Sequence, residues 1–331
     1  MANLHLSMIL SNNDRTQPLL NGSVQPDGID LAVSSAHPSE MFWRQLHFSD
    51  FDVSEMSISS LLMAIAHGDT RWVALPIFTS RRFFHTGVLV RSAAGIERPE
   101  DLKDKRIGVP EYQQTAALWA RAALQHEFGV RAQEMEWHME RSEERSHGGA
   151  TGFQPPEGVK FQRIPADKSI ASMLLAGEID ASLLYIADAN LVDRSRIDLT
   201  GNPAVRTLFK DPAAEGARYY AHTGFFPINH CVVVQRRVYE QHPWVVLNLF
   251  NAFSKARDQV AKRAAELASV FFDLGVLPQD RRKMVSADPF FYGVRSNRAL
   301  LEAIAGYSHE QGLTPRVLTP EEVFAPQTMD L

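Results

Sequence analysis

Between two apolar runs, WVALPIF and VLVR, the chain carries Arg81-Arg82-Phe83-Phe84-His85-Thr86-Gly87, which places two guanidiniums and an imidazole inside what otherwise reads as buried strand. An unpaired cation is costly to bury, so these groups must reach water or face an anion. On an extended strand Arg81, Phe83 and His85 share one face while Arg82 and Phe84 take the other, which predicts Arg81 and His85 together in a cleft and Arg82 turned away from it. Arginine's planar fork suits a carboxylate, and histidine suits proton transfer near neutral pH. The competing reading sends both arginines to solvent and leaves His85 as a hydrogen-bonded core residue.

Other residues could take part in the same chemistry. Arg15, in SNNDRTQP after the first apolar run, is a candidate anion ligand; Asp14 beside it is either an acid–base group or a helix cap. Glu55 stands alone among apolar residues in FDVSEMSI and requires a partner or a catalytic task, and Ser57 is a ligand or an N-cap. After Pro110 a helix opening at Tyr112-Gln113-Gln114-Thr115 would aim free N–H groups and its dipole at an anion, with Gln114 and Thr115 contributing side chains. His222 and His230 bracket TGFFPIN without metal-ligand spacing, which favours one histidine as acid or base over two as ligands. His222 is taken as the acid–base candidate and His230 as a substrate contact. No metal site and no cofactor loop is expected, since glycine-rich phosphate loops, dinucleotide fingerprints and nucleophile elbows are all missing from the sequence.

These groups must be positioned by α/β architecture. Short apolar runs (LHLSMIL, IDLAVSSA, FDVSEMSI, WVALPIF, GVLVR) alternate with helical patterns, and the rhythm restarts after residue 91 with RIGVP, a helix closed by Gly129, MEWHM, VKFQRI and IDASLLY. Two lobes explain this economically at 331 residues, 45% of them hydrophobic. Residues 140–158, charged and then rich in Gly and Pro with no apolar period, read as a solvated surface connection or a lid. A net charge of −5 gives no reason to expect a nucleic-acid partner. The single cysteine, Cys231, reads as a small buried hydrophobe. The start MANLHLSMILSNNDRTQ has no basic leader and no run approaches a membrane span, so a cytoplasmic protein without a membrane partner is expected.

The segments GVLVRSAAGIERPEDLKDKRIGVP, LLAGEIDASLLY and HPWVVLNLFNAFSKA resemble the type II periplasmic-binding-protein fold: two lobes with a ligand cleft between them. That resemblance implies one lobe from residues 1–90 plus 229–331 and a second from 91–228. A closer resemblance, carried in order by NDRTQPLLNGSVQPDGIDL, FDVSEMSISS, LPIFTSRRFFHTGVLV, YQQTAALWARAAL, FFPINH and LTPRVLTPEEVFAP, is to the 4,5-dihydroxyphthalate decarboxylase family. It departs at Phe84, where the family pattern carries an arginine. The resemblance implies an aromatic carboxy-lyase of phthalate catabolism acting on a small aromatic dicarboxylate, homo-oligomeric and cofactor-independent. It adds Tyr292 and Arg295 as cleft residues, with a surface turn as the competing reading.

An aryl carboxylate loses CO2 reluctantly because the electron pair left behind is orthogonal to the ring π system. A hydroxyl para to the carboxylate removes that obstacle: its deprotonation lets the carboxyl-bearing carbon take a proton, and the resulting dienone expels CO2 as aromaticity returns. The protein must supply a base, an acid and cations for a dianion. Three other readings on this fold stay open: a binding protein for an aromatic or other organic anion, a pyrimidine-forming protein of thiamine synthesis, and a ligand-sensing regulator. The absence of an export signal, of a Cys-rich segment and of room for an N-terminal DNA-reading domain argues against each in turn.

Overall fold

A computed structural model describes residues 2–285 and 287–331. The first apolar runs form β1 (Leu4–Leu10), β2 (Ile29–Ser35), β3 (Val53–Ser57) and β4 (Trp72–Arg81) of one sheet. β5 (Leu89–Arg91), β6 (Arg106–Val109), β7 (Glu136–Met139), β8 (Lys160–Arg163), β9 (Ala181–Ser182) and β10 (Val205–Thr207) build a second sheet, and β11 (Ile228–Gln235) returns to the first. The strand orders are β2-β1-β3-β11-β4 and β10-β5-β9-β6-β7-β8. β1, β2 and β3 run parallel, and β11 lies antiparallel between β3 and β4. The near-continuous burial of β3, β4 and β11 is that of central strands covered on both faces.

The chain crosses between sheets twice, and both crossings meet at one place. β4 ends where its pairing with β11 ends, at Arg81 opposite Ile228, and Arg82 N–H then donates to Pro227 O at 3.1 Å. Beyond Arg81 the backbone is no longer extended: His85–Gly87 is a 3₁₀ turn. Strand alternation therefore applies to Arg81 and Arg82 but does not reach Phe83 and His85, and the expected shared face of Arg81, Phe83 and His85 is not formed. The Phe83 ring lies against Gly216 so closely that a Cβ there would come within 2.8 Å of it.

The lobes are also joined by side chains. The Thr115–Phe128 helix of the second lobe lies against the first: Thr115 Oγ1 is 2.8 Å from Ser57 Oγ and accepts from Ser59 N at 3.0 Å. Ser59 Oγ donates to Gln113 O, Trp119 Nε1 to Ile228 O, and Arg121 Nε to Gln311 Oε1. The 29-residue helix Val245–Asp273 buries its first half on the first sheet and exposes most of its second. Among the described residues, no helix is long and apolar enough to cross a membrane.

Residues 140–158 are a solvated connection only in part, exposed at 143–145 and over most of 154–158. Arg141, Ser146, His147 and Gly148 are buried, and Gly148–Thr151 forms a short helix. An apolar period cannot reveal such a segment, because its interior is filled by a polar network rather than by hydrophobes.

Candidate active site

A cavity of about 350 Å³ lies between the lobes. Three helices begin on its wall: Pro38–Phe48, with His37, Pro38 and Ser39; Ile58–Ala66, after Ser57; and Thr115–Phe128, with Gln114, Thr115 and Ala116. The dipoles of all three favour a bound anion. Pro38 has no N–H, however, and Ser39 N and Ser59 N are committed to His37 Nδ1 and Thr115 Oγ1, which leaves the start of the Thr115–Phe128 helix as the open N–H end. The buried Gln114 amide nitrogen has no hydrogen-bond partner among the described residues and is available to a ligand.

Glu55 and His230 form the first polar cluster. β3 and β11 are register neighbours with His230 opposite Ser57, which brings His230 Nδ1 to 3.0 Å from Glu55 Oε2. Glu55 is fully buried and also accepts from Ser11 N (2.8 Å), Ser11 Oγ (2.7 Å) and Thr79 Oγ1 (2.8 Å). Burial opposes its ionisation, but the His230 bond, with those from Ser11 and Thr79, outweighs burial and holds its pKa below the ordinary value. An ionised Glu55 requires the proton of His230 on Nδ1. Nε2, 2.8 Å from the Asn229 amide nitrogen, then accepts from it, and both residues line the cavity. The ring packs edge-on against Phe42 at 4.7 Å. A carboxylate fixing the tautomer of an imidazole whose other nitrogen faces a cleft is a general-base arrangement.

The second cluster centres on Arg141. Its guanidinium meets Asp193 Oδ1 at 2.7 Å and Ser39 Oγ at 2.6 Å and forms an ion pair with Glu111. Glu111 in turn accepts from Ser146 Oγ and His147 N, each at 2.6 Å. Burial would lower the Arg141 pKa, but Asp193 and Glu111 drive it upward; burial keeps His147 below its ordinary value. With two carboxylates on one guanidinium, Arg141 has no charge left for a substrate dianion.

Arg82 fills that role by position. It is exposed on the cavity wall, and only its backbone N–H is engaged among the described residues. Arg81 reaches the wall too, but its guanidinium turns the other way, donating to Phe226 O (3.1 Å), Phe291 O (2.8 Å) and Asn297 Oδ1 (2.6 Å). The alternation expected for this pair is present, with the two residues exchanged between cleft and far side.

Of the other residues expected from the sequence, Ser57, Gln114, Thr115 and His230 line the cavity, and Glu55 stands behind His230. The remainder lie elsewhere. His85 is buried 3.1 Å from Glu215 and beside Tyr219, in the core reading weighed for it. His222 is on the surface, paired with Glu127 at 3.0 Å. Asp14 is exposed and caps nothing, because the turn it occupies is closed by Asn13 and Thr16. Arg15 stacks 3.7 Å over the Phe290 ring and donates to Thr79 O. Tyr112 belongs to the second-lobe core, with Arg121 3.8 Å over its ring. Tyr292 is buried beside Arg257, and Arg295 is exposed at the start of the Val294–Glu310 helix. The sequence reading missed Arg82, His37, Ser39, Arg141, His147, Asn229 and the 184–188 wall. Position at or near the end of a strand or the start of a helix is the signal most of them share. Among the described residues no group of three or more His, Cys, Asp or Glu side chains stands where it could hold a metal ion.

No family model matches the chain. Among solved structures it is similar to the aliphatic sulphonate-binding protein SsuA of Escherichia coli (TM-score 0.56, 14% identity, 98% of this chain and 92% of that one). It is also similar to the alkanesulfonate-binding protein SsuA of Xanthomonas axonopodis pv. citri (0.55, 14%, 99% and 98%) and to the desulfurization enzyme DSZB (0.50, 15%, 99% and 98%). These likenesses show a fold, the two-lobed substrate-binding-protein architecture. In sequence the chain is 34% identical to the 4,5-dihydroxyphthalate decarboxylase of Comamonas testosteroni over 333 aligned residues, covering 100% of this chain and 99% of that protein. It is 35% identical over 220 residues to that of Pseudomonas putida, covering 66% of this chain and 83% of the relative. On that full-length similarity, the chain belongs to the 4,5-dihydroxyphthalate decarboxylase family.

Proposed function

We propose that the protein converts 4,5-dihydroxyphthalate to protocatechuate and CO2 by protonating the ring before breaking the carbon–carbon bond. The observation that carries this reading is the 34% identity, end to end, with a decarboxylase of that name. The cleft supplies suitable parts. Arg82 and the helix N-termini hold the two carboxylates. Substrate displaces the Asn229 amide from His230 Nε2, which then takes the proton of the hydroxyl para to the departing carboxylate, and Glu55 stabilises the imidazolium that forms. His37, whose Nδ1 accepts from Ser39 N and whose Nε2 therefore carries a hydrogen, donates a hydrogen bond to a substrate oxygen. The carboxyl-bearing carbon takes its proton from solvent at the cavity mouth while His230 returns the phenolic proton to solvent. The C–C bonding pair then returns to the ring as CO2 leaves. The substrate's own hydroxyl acts as the electron sink, so neither cofactor nor metal is part of the scheme.

We place the enzyme in the cytoplasm as a homo-oligomer; an exposed apolar stripe at the end of the long helix and just beyond it, Leu267, Val270, Phe271 and Leu274, supports the second assignment. The test is to mix the purified, chelator-treated protein with 4,5-dihydroxyphthalate in D2O and follow protocatechuate by absorbance and NMR. Turnover with one deuterium at the vacated ring carbon is expected. Failure to turn over would overturn the assignment, and activity restored only by a divalent metal would overturn the metal-free scheme.

A further inference from the structure

Behind the cleft, on the far side of the two crossings, is a second open-mouthed cavity of about 710 Å³. Phe83, Tyr220, Phe225, Phe226, Phe291 and Leu300 make most of its wall apolar. The Arg81 guanidinium lies on the same wall, since its three acceptors, Phe226 O, Phe291 O and Asn297 Oδ1, all belong to cavity residues. Arg81 is 6% exposed, has no carboxylate partner among the described residues, and its Nε is buried without an acceptor. The nearby carboxylate, Asp288, is committed to Arg257 at 3.3 Å. A buried guanidinium held by neutral acceptors at one end of an aromatic chamber is electrostatically incomplete.

We propose that this cavity is a second binding site, for a monocarboxylate carried on an aromatic or other bulky apolar body, with Arg81 taking the carboxylate and the phenylalanines the body. Its walls come from the outgoing crossing (Phe83), the return crossing (Phe225 and Phe226) and the C-terminal part of the first lobe (Phe291 and Leu300), so an occupant touches both crossings and the first lobe at once. The substrate's two adjacent carboxylates suit the polar cleft better than this chamber, which offers one cation.

The probe is 2-naphthoate, titrated calorimetrically into the full-length protein with and without saturating phthalate. One naphthoate site is expected to persist under phthalate. Ala299→Trp, which fills the chamber from an exposed rim position on the Val294–Glu310 helix, should weaken binding about tenfold or more. Arg81→Met should weaken 2-naphthoate by a similar factor yet leave the neutral 2-naphthol unaffected. Displacement of naphthoate by phthalate, or unchanged affinity in Ala299→Trp, would overturn the proposal. Because the Ala299→Trp comparison is read in binding alone, it stands whether or not the protein decarboxylates dihydroxyphthalate.

Discussion

Two clusters of buried charge flank the same cleft and differ in what they leave over. Around Arg141 the guanidinium and both carboxylates are engaged with one another and with neighbouring donors, and two carboxylates outnumber the guanidinium. Around Glu55 the carboxylate is just as saturated, but the chain of bonds runs out to His230 Nε2 at the cavity wall, held there by the Asn229 amide, a partner that a ligand can displace. A closed network fixes geometry; one that terminates on a titratable atom at a ligand cavity can move a proton. Burial and unusual acidity alone would not have separated them, since both glutamates are fully buried and both are held below the ordinary carboxylate range.

The sharpest way to break the comparison is Arg141→Met. Removing one partner of a buried ion pair strands Glu111 and Asp193, and a stability loss of about 3–5 kcal/mol is expected in urea unfolding. A loss below about 1 kcal/mol, the scale of an exposed pair, would mean that the network is not the closed scaffold described. His230→Gln should do the reverse: unfolding nearly unchanged, phthalate still bound, and turnover lower by roughly a hundredfold or more. Equal losses of phthalate affinity and turnover would demote His230 to a substrate contact.

Next in size is Arg82→Met, expected to cost about 1.5–3 kcal/mol in transition-state binding, with Arg82→Lys recovering part of it. Unchanged kinetics in Arg82→Met would return the substrate-holding role to the helix N-termini alone. The smallest expected effect concerns acid. Burial lowers the pKa of His37, His85, His138 and His147 below 6.5, the ordinary value. Above 6.5 these rings are neutral whether the chain is folded or not; below it the unfolded chain binds the extra protons, so stability falls as the pH drops through 6.5. Calorimetry should show a lower Tm at pH 5.5 than at 7.5, and a shallower decline in His85→Gln. A Tm that rises towards acid pH would contradict the sign.

What the sequence showed and what it hid follow from the same physics. Apolar period located β1, β3, β4 and β11 and the Thr115–Phe128 helix, because those elements bury hydrophobes at regular spacing. Glu55 was legible for the opposite reason, as a carboxylate in an apolar strand that had to be explained. Arg141 and His147 were not, because a segment buried by ion pairs has the composition of a surface loop. His85 was misplaced because strand alternation was carried past the end of β4, into a turn whose direction the crossing to the other sheet decides. Parity correctly separated Arg81 from Arg82, but a strand's two faces carry no label for which one meets the cleft.

The Thr115–Phe128 helix has a thermodynamic consequence. Domains connected only by a crossing can melt independently, each with its own transition. Here one helix donates and accepts across the lobe boundary at Thr115, Trp119 and Arg121, so losing the packing of either lobe leaves buried polar groups of the other without partners. The two sheets are thereby coupled into one cooperative unit. A single endotherm, with calorimetric and van't Hoff enthalpies in agreement, is the signature of a chain whose lobes cannot unfold one at a time.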